Sequence, residues 1–134
     1  MNDEFSEFII SGTVGLLVWF FGGLDGFVQV LLAFSVVDYI TGILKAGIEH
    51  RISSTIGFNG IARKIGMFFL VGVAHLIDKH LLGDKVAFKA AVTLFYIGNE
   101  GISIIENVEK LGVPIPKFLH GKFLTFTKQH EQES

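Results

Sequence analysis

FIISGTVGLLVWFFGGLDGFVQVLLAFSVVDYITGIL, residues 8–44, decides the fold. The stretch holds two charged side chains, Asp25 and Asp38. Gly22-Gly23 and Asp25-Gly26 punctuate it with a tight turn. The two runs beside that turn, 8–24 and 26–44, are each long enough to cross a hydrocarbon layer of about 30 Å, which takes about 17–25 residues. The first run is apolar all round and fits no surface helix of a small soluble domain. Together the two runs read as a helical hairpin.

Two further apolar segments follow, over 65–82 and 86–108. Each tolerates polar residues: His75, Asp78, Lys79 and His80 in the third, and Lys89, Asn99, Glu100 and Glu106 in the fourth. A charge at the centre of a membrane helix costs about 2.5–3.5 kcal/mol unless it faces protein or water. In the fourth segment Lys89, Thr93, Tyr96, Glu100, Ser103, Asn107 and Lys110 recur at alternate spacings of four and three, so they share one stripe. Asn99 and Glu106 flank it. Ser35, Asp38, Gly42, Lys45 and Glu49 make a similar stripe in the second segment. Gly72, His75 and Lys79 make one in the third, with Asp78 beside them.

Composition agrees. The chain has 134 residues, 50% of them hydrophobic and only 18% charged, with a mean hydropathy of +0.55. A soluble domain carries about 25% charged residues. The expected fold is therefore all-α: one small polytopic membrane unit over 1–134, with about four transmembrane or membrane-embedded helices. A short amphipathic C-terminal segment and a polar tail are expected over 117–134. A three-span form, with one segment lying in the interface, is the rival. Residues 45–64 read as a polar loop with Gly57-Phe58-Asn59-Gly60 as its turn, and Pro114 and Pro116 stop the fourth segment. Ser11 with Gly15, and Ala62 with Gly66, are small pairs that suit close helix approach.

Basic residues set the expected orientation. With four spans and the N-terminus inside, eight of the eleven Lys and Arg fall on the cytoplasmic side, so both termini are expected there. The acidic start lacks a basic region before the first segment, so that segment is expected to be retained. The absence of Cys excludes a disulfide scaffold and thiolate metal sites. A net charge of −2 gives no argument for nucleic acid.

No HExxH, Gly-x-Ser-x-Gly or phosphate-binding loop is present, so nothing points to an enzyme, a metal or another cofactor. The candidates for helix packing or lumen lining are Asp38, Gly42, His75, Asp78, Tyr96, Asn99, Glu100, Ser103, Glu106 and Asn107. His75 with Asp78 at i, i+3 also has the spacing of a metal or proton-relay pair, although a polar contact between packed helices is the favoured reading.

The run from Leu94 to Asn107, with Asn99-Glu100-Gly101 and Glu106-Asn107 at its heart, followed by Leu111-Gly112-Val113-Pro114-Ile115-Pro116, resembles the C-terminal signature of the toxin-secretion/phage-lysis holin family. Asp38-Tyr39-Ile40-Thr41-Gly42 is similar to a second hallmark. Ser53-Ser54, Gly57, Gly60-Ile61 and Arg63-Lys64 resemble the family's middle loop, and Ala74 to Asp78 its third segment. The resemblance covers roughly residues 30–119. It implies a protein that oligomerises in the bacterial cytoplasmic membrane and opens lesions, which release an endolysin or export a large toxin. Its implied partners are copies of itself, the bilayer and that endolysin or toxin. The alternative is a small ion or proton channel or transporter, with Asp38, His75 and Glu100 as a relay.

Overall fold

The computed structural model describes residues 2–85 and 87–119. The expected interfacial segment and polar tail fall mostly on 120–134, outside the described residues. Four helices follow in order: α1 (Asp3–Phe21), α2 (Gly26–Ile48), α3 (Ser54–Leu81) and α4 (Ala87–Lys110). At 1.5 Å per residue they are about 28, 35, 42 and 36 Å long. Three of them, α1, α2 and α3, are long and apolar enough to cross a membrane.

Local chemistry sets the helix ends. Gly22 closes α1 with φ +72°, a left-handed conformation that glycine adopts without a Cβ penalty. Its N–H donates to Trp19 O, and the Gly23 N–H donates to Val18 O. Asp25 caps α2 by accepting from the Val28 N–H at 2.9 Å. Ser53 caps α3 by accepting from Ile56 N–H at 3.1 Å. Hydroxyls inside the helices are satisfied at once by the preceding turn: Thr13 donates to Ile9 O, Ser35 to Leu31 O, Thr41 to Val37 O and Thr93 to Lys89 O.

The Ser53 cap overturns one expectation. The loop read over 45–64 contracts to residues 49–53, and Gly57-Phe58-Asn59-Gly60 lies within α3. Those glycines serve packing, not turning. The Tyr39 side chain of α2 packs on this face of α3, its hydroxyl oxygen 3.4 Å from the place a Cβ would take at Gly57 and its ring 3.4 Å from that place at Gly60. The Tyr39 hydroxyl donates to Gly57 O at 3.4 Å.

α4 packs against both α2 and α3. It runs parallel to α2, because Lys89 meets Asp25 at one end while Asn107 meets Asp38 further along. α3 runs antiparallel to both. Val28 and Leu31 of α2 with Met67 and Val71 of α3 form the apolar core, against which Phe21, Phe68, Val92, Tyr96 and Ile97 pack. The backbone of α1 approaches only α3, and no α1 residue is buried. Its last turn is the anchor. Phe20 meets Phe69 edge-on at 6.3 Å, and Phe21 meets Phe68 at 5.9 Å. The Phe20 ring occupies the space above Gly72, where a Cβ would strike it. The small pairs make no such approach within the chain: Gly15 and Gly66 have open space around them.

The outer surface is greasy. Phe8, Leu16, Phe58, Phe69 and Leu81 are all exposed, with dozens of other apolar side chains. Such a surface suits a hydrocarbon solvent, where helices satisfy their own backbone groups.

Candidate functional site

The charges converge inside this coat. Lys64, three turns into α3, reaches between α2 and α4. Its Nζ donates to Asp38 Oδ2 at 2.7 Å and to Glu100 Oε2 at 2.6 Å. The three side chains are only 10–18% exposed. Asp38 has its other oxygen occupied as well, since Asn107 Nδ2 donates to Oδ1 at 2.9 Å. The same amide lies 3.2 Å from Asp38 O and 3.1 Å from Thr41 Oγ1. Gly42 sits beside it, with 3.6 Å between its missing Cβ position and Asn107 Nδ2. Two carboxylates, one ammonium and one amide thus close a polar seam among three helices. Each hydrogen bond is charge-assisted or made in low dielectric, where an unpaired group is costly.

A second polar cluster closes the end where the α1–α2 and α3–α4 turns lie. Asp78 of α3 is buried and accepts from the backbone N–H groups of Phe88 (3.0 Å) and Lys89 (2.8 Å). It caps α4 from a different helix and places a negative charge at the positive end of the α4 dipole. The buried Lys89 Nζ donates to Phe21 O at 2.6 Å and to Asp25 Oδ2 at 3.0 Å. Burial opposes the Asp25 charge. The Val28 N–H and the Lys89 ammonium outweigh it and hold the carboxyl below the usual range. The His75 ring packs over Gly22 where a Cβ would strike it.

The ten sequence candidates therefore divide. Asp38, Gly42, Glu100 and Asn107 meet in the seam. Asp78 and His75 belong to the second cluster, the first as a cap and the second as a packing ring. Tyr96 rests on the apolar core, and Ser103 is half-buried beside the seam helix face. Asn99 and Glu106 face outward and are exposed. The relay of Asp38, His75 and Glu100 is not continuous, because His75 lies eleven residues from Lys64, about 16 Å along α3. No group of His, Asp and Glu suited to a metal ion occurs among the described residues.

Lys64 is the residue that sequence reading placed in a loop. A signal for it existed. Counting back from Asp78 by sevens gives Val71 and then Lys64, the buried line of α3.

The comparisons with known proteins point the same way. A model of the bacteriophage holin family matches residues 15–128. The chain belongs to that family. Holin-family proteins are non-enzymatic membrane proteins of phage lysis, and the greasy helices fit a place in the membrane. A probable holin of Bacillus phage phi105 is 33% identical over 109 residues, covering 81% of this chain and 79% of its own. An uncharacterized protein of Listeria monocytogenes is 41% identical over 128 residues, covering 95% and 91%. An uncharacterized protein of Bacillus subtilis is 37% identical over 132 residues, covering 97% and 92%. No solved structure matches.

Proposed function

We propose that this chain is a lesion-forming holin of the bacterial cytoplasmic membrane, which assembles with copies of itself and lets an endolysin reach the cell wall. It crosses the membrane four times with both termini in the cytoplasm. α4 crosses alongside α2, its polar seam turned inward. Setting aside Lys64 and Lys89, which are occupied in ion pairs, and Arg63, which adjoins Lys64 within α3, six basic residues fall on the cytoplasmic side against two outside, which supports that orientation.

The observation that carries the reading is the Asp38–Lys64–Glu100–Asn107 seam inside a lipid-exposed bundle. A chain that only needed to sit in lipid would gain from apolar residues there, since a buried ion pair is a poor source of stability. A seam held by polar contacts can instead exchange them for water when helices separate. In the closed form Glu100 and Asp38 face Lys64. In the assembled lesion the same groups line the aqueous opening, where their desolvation cost disappears.

The test is inducible expression in bacteria with and without a muralytic endolysin. The expected result is a lag, abrupt growth arrest, and lysis only when endolysin is present. Continued growth at full membrane accumulation refutes the reading. Solute uptake without release of a cytoplasmic enzyme supports the transporter instead. Glu100→Gln should shift the time of arrest; unaltered timing at matched expression removes the seam from the mechanism.

A further inference from the structure

α4 carries two polar side chains that the seam does not use. Asn99 and Glu106 are exposed, and neither has a hydrogen-bond or ion-pair partner among the described residues. They lie seven residues apart on one line of the helix, about 10 Å from each other. Asn99 is next to Glu100, whose partners on α2 and α3 are mid-helix, so it lies at the depth of the bundle's centre. Its neighbours on that face are apolar: Phe95 one turn before and Ile102 one turn after, with Leu94 exposed beside them. A carboxamide so placed offers two donors and an acceptor to hydrocarbon, which answers none of them.

We propose that this outer line of α4 is the contact between two copies of the chain, with Asn99 pairing with Asn99 of the second copy. The inference rests on the membrane placement proposed above and is independent of the lesion itself. The occupant follows from the chemistry. A carboxamide is complementary to itself, and a two-fold axis along the membrane normal brings the same residue to the same depth from a parallel helix. Lipid cannot supply the missing partners. Glu106, of one sign only, does not pair with itself. It lies toward the Lys110 end, where two such helices can diverge and water or headgroups reach the carboxylates. The contact is centred on Asn99, with Ala91, Phe95 and Ile102 packing around it.

The chain contains no Cys, so single replacements report directly. Asn99→Cys, and for comparison Val36→Cys on the exposed side of α2 and Leu70→Cys on that of α3, are oxidised in membranes of the expressing cell. Asn99→Cys should give a disulfide-linked dimer well above the other two; equal or lower yield overturns the proposal. In a second measurement, energy transfer between labelled full-length chains is followed while lipid is added. Asn99→Leu should weaken association roughly 5- to 30-fold, the range of interhelical polar contacts in membranes, and Asn99→Gln should retain part of it. Association of Asn99→Leu equal to that of the unaltered chain, with helix content preserved, overturns the proposal. Lysis without Asn99 crosslinking sinks this interface and leaves the lesion reading intact. Crosslinking in a chain that never arrests growth does the reverse.

Discussion

Replacing Lys64 by Met is the sharpest probe of the seam. Met keeps the length and the apolar stem of Lys and removes the ammonium. Both carboxylates accept from the same nitrogen, at 2.7 and 2.6 Å, so their nearest oxygens lie about 5 Å apart at most. Without the ammonium two like charges face each other across that gap. At an effective dielectric of about 20 their repulsion is about 3 kcal/mol. That agrees with the lower end of the roughly 3–5 kcal/mol for breaking a buried pair by removing one partner. A shift of this size moves an equilibrium between closed and separated helices about 100-fold. The expected result is a large fall in the thermal midpoint of the purified chain in detergent, together with earlier growth arrest at matched expression. Adding Glu100→Gln to Lys64→Met removes the repulsion and should recover much of both losses. If Lys64→Met leaves midpoint and timing unchanged, or if the second replacement recovers nothing, the electrostatic account of the seam fails.

Other outcomes follow from individual contacts. Asn107→Leu deprives Asp38 and Thr41 of a shared donor and should destabilise the closed bundle by about 1–3 kcal/mol, read as a lower detergent midpoint. Gly72→Val places methyl groups where the Phe20 ring sits, and should detach α1 while leaving α2–α4 intact. Hydrogen exchange in detergent should then rise in α1 and stay unchanged in α2–α4, and unchanged exchange in α1 counts against the anchor. Asp25 supplies a pH dependence outside the spanning helices. Its folded carboxyl is held below its ordinary value of 3.8. Its stabilising contribution is therefore full above that value and is lost as pH falls through the folded one. Asp25→Asn should flatten the midpoint-against-pH curve below about pH 4 and nowhere else.

Much of this was legible in the sequence, for reasons that differ by element. Length and hydropathy located α1 and α2 because lipid demands both at once. The alternate three-and-four spacing from Lys89 to Asn107 marked the inward face of α4, since a helix must hide its polar stripe from hydrocarbon. Lys64 escaped because Gly57 and Gly60 read as a turn. Both lie inside α3 against Tyr39, a neighbour that only tertiary packing supplies. The isolation of α1 had no local sign, because an all-apolar helix looks the same against protein as against lipid. The two polar clusters also drew on residues from opposite ends of the chain, such as Lys89 with Phe21, and spacing along one helix is silent on such pairs.

The cap that Asp78 lends to α4 has a consequence for biogenesis. Of the four helices α4 leaves the ribosome after the others, and it is the one least able to partition into a bilayer by its own hydropathy. Its first N–H groups and its Lys89, Glu100 and Asn107 side chains find their partners only on α1–α3 and the α1–α2 turn, which emerge earlier. In the four-span arrangement proposed above, α4 is a passenger, admitted to the membrane by a docking site its predecessors have already built. A chain truncated after α3 would leave Asp38, Lys64 and Asp78 waiting in the bilayer without it.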